Sequence, residues 1–115
     1  MSESSQPMLQ RTVKAAGTIT ARRFVGFDNL QITVQANSAK GVSRDDAVIG
    51  DVIAVTMMGT ETLESGGAFA VGDDIYSDTS GRAITIGSPT TQKRNGVAME
   101  ASGGAGEFVE IFLVK

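Results

Sequence analysis

The sequence has no cysteine, no histidine and no tryptophan. Without cysteine there is no disulfide framework and no thiolate nucleophile or metal ligand. Without histidine the commonest general base and the commonest transition-metal ligand are missing, so Ser-His-Asp and Cys-His arrangements are excluded. Five Phe and one Tyr are the whole aromatic complement, so a core has to rest on Val, Ile, Ala, Leu and Met. No apolar run approaches the roughly 20 residues that a membrane span needs. Basic charge is scarce too: ten Lys and Arg against thirteen Asp and Glu leave a net charge of −3. Phosphate binding wants a basic face, so nucleic acid is not the expected partner.

Glycine, by contrast, occurs 14 times, against two prolines. That balance favours many glycine turns between short strands over a proline-rich disordered segment. A chain of 115 residues fits one domain and buries roughly two-thirds of its unfolded surface. The opening Met1-Ser2-Glu3-Ser4-Ser5-Gln6-Pro7 lacks the basic start and apolar centre of a secretory signal, so cytoplasmic synthesis is expected. Residues 1 to about 10 read as a mobile polar lead, and residues 1–16 as a flexible arm ahead of one β domain over 17–115.

The stretch Ala70-Val71-Gly72-Asp73-Asp74-Ile75-Tyr76-Ser77-Asp78-Thr79-Ser80-Gly81-Arg82-Ala83-Ile84-Thr85 reads as a hairpin around which the chain is organised. Ile75 and Tyr76 form one arm and residues 83–86 the other. Asp and Ser suit the connecting turn, and Gly81 takes positive φ without steric cost. Val48-Ile49-Gly50-Asp51 and Ala70-Val71-Gly72-Asp73 repeat one form, apolar-apolar-Gly-Asp before a strand, and predict one turn chemistry used twice.

Elsewhere, residues 12–15 predict a short edge strand, and residues 18–21 and 24–27 two more. Leu30, Ile32, Val34 and Ala36 alternate with Gln31, Thr33 and Gln35, the cleanest period-two pattern in the chain and a half-buried strand by that criterion. Residues 41–47 read as a polar loop or short helical turn, with Ser43 as a weak cap. Residues 52–58 are apolar on both faces and predict a central strand that Gly59 ends or bulges; residues 60–64 alternate. Pro89 forbids a central strand near it, and Asn95-Gly96 is a turn dipeptide. Residues 97–101 and the apolar run from Glu107 to Val114 predict two last strands. The fold class is all-β: a small barrel or sandwich of short antiparallel strands with an extended N-terminal arm.

The remaining chemistry is thin. Asp73, Asp74 and Asp78 offer hard oxygen ligands, but the calcium-loop spacing with its closing Glu is absent, and a polar turn is the plainer reading. Adjacent carboxylates on a strand face opposite sides, so Asp73 and Asp74 do not make an acid/base pair. Ser102-Gly103-Gly104-Ala105-Gly106 lacks the Gly-Lys-Ser/Thr ending of a phosphate loop. No catalytic, cofactor or metal residues are assigned, and an enzyme is not expected. Arg22-Arg23 and Lys93-Arg94 are the only basic doublets: solvated charge on the plain reading, docking to an acidic protein face on the functional one.

The order Gly72-Asp73, Ile75-Tyr76, a Ser-Gly turn, then Gly96-Val97-Ala98 with Glu100-Ala101, a glycine-rich link and a final apolar strand resembles the capsid decoration (head-stabilising) proteins of tailed bacteriophages. The likeness covers roughly residues 41–114. It implies a non-enzymatic virion protein made in the host cytoplasm, a homotrimer seated on the major capsid protein, with an N-terminal arm reaching the shell or a neighbour. On that reading Arg11, Lys14, Arg22 and Arg23 are the expected capsid-binding residues, within a docking arm of residues 1 to about 25. Phe24, Phe27 and Phe112 are the expected oligomer contacts. A tail or baseplate β-module is the alternative. A carbohydrate-binding domain is less favoured, since one Tyr and no Trp make a poor sugar platform.

Overall fold

The structure, a computed structural model, describes residues 6–35, 37–86 and 94–113. Eight strands and no helix form among them: β1 (Gln6–Lys14), β2 (Phe24–Gly26), β3 (Ala39–Ser43), β4 (Val52–Glu64), β5 (Asp74–Ser77), β6 (Ala83–Ile84), β7 (Gly96–Ala98) and β8 (Phe108–Leu113). All strand pairs are antiparallel, in the order β2-β3-β4-β8-β7-β5-β6, with β1 also on β4.

The organising element is β4, rather than the expected hairpin. Its 13 residues pair with β1 from Val52 to Thr60, with β3 at Val55 and Thr56, and with β8 from Gly59 to Glu64. Its two faces serve two cores. Ile53 and Val55 pack with Val13, Ala15, Ile19, Val25 and Ala47. Leu63 instead joins Phe24, Val42, Ile75, Val109 and Ile111 inside the barrel. Val55 and Leu63 are an even number of residues apart, so a regular strand would put them on one face. The register between β1 and β4 slips twice over Met57–Gly59: Met8 is the extra residue on β1 next to Gly59, whose φ is 99°, and Met57 is the extra residue on β4. A β-bulge of this kind re-aims every side chain beyond it. The expected bulge is therefore present, and it lets one strand serve two cores.

The expected hairpin forms by the pairs Tyr76↔Ile84 and Ser77↔Ala83, with Gly81 at φ 77°. Its place is the seam of the barrel. Phe24 N donates to Gly81 O at 2.7 Å, Gly66 N donates to Ala83 O at 2.7 Å, and Ser65 bridges to Ala83. These bonds tie the two ends of the sheet path together and nearly close it.

Several sequence expectations are corrected. Residues 30–35 form no strand, only a bridge from Gln31 to Val25. Ile32 is buried, but Leu30 and Val34 stand exposed; alternation reports which side chains like half-burial, and the contact with β2, in which Ile32 N donates to Phe24 O at 3.2 Å, is too short to make a strand. Residues 18–21 likewise contribute a single bridge, Ile19↔Ala47. The reverse error falls on residues 41–43, which belong to β3. A Cβ on Gly41 would lie 2.2 Å from Thr56 O, so glycine there serves close strand approach rather than a loop. Ser43 is buried and donates from Oγ to Thr20 O at 2.8 Å. Asn95 is also buried: its Oδ1 accepts from Ala39 N and its Nδ2 donates to Asn37 O, both at 3.0 Å. It braces β3 to β7 instead of tipping a turn.

Within the expected arm, residues 6–14 pair with β4, since main-chain pairing to a long strand needs no apolar side chains of its own. The expectations for residues 1–5, and for Pro89 and Lys93, lie outside the described residues.

Candidate interaction surfaces

The Arg22-Arg23 doublet sits where the chain crosses β4. Arg22 adopts φ 63°, which non-glycine residues visit rarely. Its carbonyl accepts from Glu64 N at 3.0 Å, and its Nη1 meets Glu61 Oε1 at 2.8 Å. Glu61 is fully buried. Its other oxygen takes Arg44 Nε at 3.4 Å and the Thr56 hydroxyl at 2.9 Å, while Thr62 N donates to Oε1 at 3.1 Å. A buried carboxylate survives only when paired and hydrogen-bonded in this way. Arg23 donates through Nε and Nη2 to Glu64 Oε1 at 3.2 and 2.9 Å, and through Nη1 to Ser80 O at 2.9 Å. Arg82 continues the chain to Glu64 at 3.8 Å and Asp78 at 3.2 Å.

Both doublet arginines therefore hold the barrel together, and their guanidiniums are committed to internal carboxylates. The expectation that they meet a partner's acidic surface does not follow from this geometry. Only Glu61 and Glu64 could have flagged the pairing in sequence; Gly59 marks the bulge, but nothing there marks that it turns Glu61 inward onto the arginines.

Arg11 and Lys14 are exposed on β1. They pair opposite Val55 and Val52 respectively, an odd number of residues apart, so they project from opposite faces of the strand. No other strand pairs with β1 among the described residues, which leaves its outer edge as a template for strand addition.

The three phenylalanines separate. Phe24 is 1% exposed and fills the barrel core, which removes it as an oligomer contact: the ring has no surface to offer. Phe27 is 64% exposed, at the tip of a turn in which Asn29 N donates to Gly26 O at 3.1 Å. Phe112, 44% exposed, faces out from β8 directly between Thr60 and Val97.

The repeated turn is observed. Asp51 N donates to Val48 O at 3.0 Å and Asp73 N to Ala70 O at 3.2 Å. Each Asp carboxylate accepts in return from the first residue's N–H, at 3.0 and 2.9 Å. Gly50 and Gly72 take φ 92° and 88°, as the third position of a type II turn requires. The second position, Ile49 or Val71, is thereby pushed into solvent.

An open groove of about 360 Å³ lies at one end of the barrel, lined by Leu9, Phe27, Lys40, Met57, Met58 and Leu113 among others. Asp73, Asp74 and Asp78 do not gather there or anywhere: Asp73 closes its own turn, Asp74 pairs with Arg94 at 3.1 Å, and Asp78 accepts from Ser80 N and Arg82 N.

A family model described as phage cement protein matches residues 3–113 of this chain. No curated protein matches it. Among solved structures, the head fiber gp8.5 N base of bacteriophage phi29 is similar, with a TM-score of 0.71 at 21% identity over 92% of this chain and 93% of that one. At that identity the likeness is one of fold.

Proposed function

The chain belongs to the phage cement proteins and is a structural protein of the phage head, and we propose that it binds the outer face of the shell as a homotrimer and stabilises it. The family match over residues 3–113 carries this reading. The architecture suits it. The ionic network is turned inward on Glu61 and Glu64, so the barrel is braced from within. Its surface keeps an open strand edge at β1 and exposed apolar side chains at turn tips. Three copies that each contact the lattice weakly gain avidity of about 10²–10⁴ when their spacing matches it.

On this reading β1 carries the docking charge, through Arg11 and Lys14, and the partner is the major capsid protein. Arg22 and Arg23 are left to their internal role, and Phe27 and Phe112 remain as contacts between copies. The test is mass by light scattering followed by co-sedimentation with empty expanded capsids. Deleting residues 2–16 would remove a strand from the sheet, so the variant to use is Arg11→Glu with Lys14→Glu, which keeps β1 paired. The wild type is expected to sediment with heads at saturation and the double variant to bind at least tenfold more weakly. Normal saturation by the variant would take β1 out of the docking surface. Labelled protein found on tails and absent from heads would overturn the head location.

A further inference from the structure

Two apolar features of the surface are left uncovered by the described residues. One is convex. Val48, Ile49 and Val52 stand 58%, 74% and 64% exposed within five residues of chain, on the turn held by Asp51. Monomeric proteins seldom leave apolar side chains clustered in water this way. The other is concave: the groove of about 360 Å³ beside Leu9, Phe27, Met57, Met58 and Leu113. A cavity of about 150 Å³ already takes a benzene-sized group, so the groove has room for the Val48 and Ile49 side chains together.

Their charges are opposite. Asp45, Asp46 and Asp51 lie exposed around the turn, and Asp46 and Asp51 each use one oxygen on a backbone N–H. The rim of the groove carries Lys40, which donates to Asn29 Oδ1. The two features also lie apart on one molecule. Val52 begins β4 and Met58 is six residues on, roughly 20 Å at the rise of a strand. The turn therefore does not reach its own groove.

We infer that the Val48–Ile49 turn of one copy seats in the Met57–Met58 groove of a second copy. This rests on the trimer reading above and names its contact. Because a different surface is used on each side, the contact is head-to-tail, and such contacts close into rings when the rotation allows. Three identical contacts make the trimer. The acidic flank of the turn meets Lys40 and sets the direction of docking.

Two substitutions separate the halves: Ile49→Asp breaks the turn side, and Met58→Asp breaks the groove side. Both positions are more than half exposed, so unfolding midpoints close to wild type should confirm that each variant folds. The wild type is expected to scatter light as a trimer and each variant as a monomer at the same concentration. An equimolar mixture has one intact turn and one intact groove to join, so it should yield a one-to-one dimer and nothing larger. Trimers from either variant alone, or a mixture that stays monomeric, would overturn the contact while the wild-type trimer leaves the broader reading intact. A monomeric wild type would overturn both.

Discussion

The two ends of β4 invert the usual expectation about what a protein hides. Toward its C-terminal end, Glu61 is wholly buried with two arginines, a hydroxyl and a backbone N–H around it. At its N-terminal end Val52 stands in water beside Ile49. The first end is closed because every polar atom has a partner; no buried side-chain N or O lacks one among the described residues. The second is open because none of the described residues covers it. Residue type alone does not place a side chain inside or outside; available partners do.

The sharpest way to break this contrast is at the closed end. Glu61→Ala strands the arginines Arg22 and Arg44 against a core that no longer neutralises them. Each keeps about a third of its side chain in solvent, so the loss should fall near the low end for broken buried pairs, about 3 kcal/mol. In a domain of this size that lowers the thermal midpoint by on the order of 10 °C, which differential scanning calorimetry would read. A midpoint unchanged by Glu61→Ala would mean the node contributes nothing.

Gly41→Ala comes next. The new Cβ would press on Thr56 O, forcing β3 off β4 at about 2 kcal/mol, within the range for overpacking. Urea titration should show the lowered midpoint. A smaller effect belongs to Arg82→Ala, whose contact with Glu64 is long and whose side chain is partly solvated; about 0.5 kcal/mol is expected from the same titration. The least is expected at the open end. Ile49→Asp should alter monomer stability by under about 0.5 kcal/mol, while changing the mass of the assembled protein. A large loss of stability there would show that the turn supports the fold itself, and the two ends of β4 would no longer differ in kind.

Much of the architecture was legible in residue order. The hairpin at Tyr76 and Ile84, the central apolar strand, the bulge at Gly59 and the twin turns at Gly50 and Gly72 all follow from local rules of φ and alternation. Residues 30–35 show where those rules stop. Their period-two pattern satisfies the test for a strand, yet among the described residues the pairing with β2 stops at Gln31 and Ile32 and does not run on along the segment. Residues 41–43 show the converse, a strand disguised as a loop because its glycine answers to a neighbour's carbonyl. The surface fared similarly. Arg22-Arg23 read as available charge, and Phe24 as a contact, until Glu61, Glu64 and the barrel interior claimed them.

By itself, then, the order of residues determined the β class, the turns and the absence of histidine or cysteine chemistry, since these depend on side-chain type and on φ preferences a few residues wide. Tertiary structure alone decided that the central strand serves two cores, which charges are buried and which apolar groups are left at the surface. Those outcomes depend on partners distant in sequence, brought together by a one-residue bulge that reverses the faces of β4.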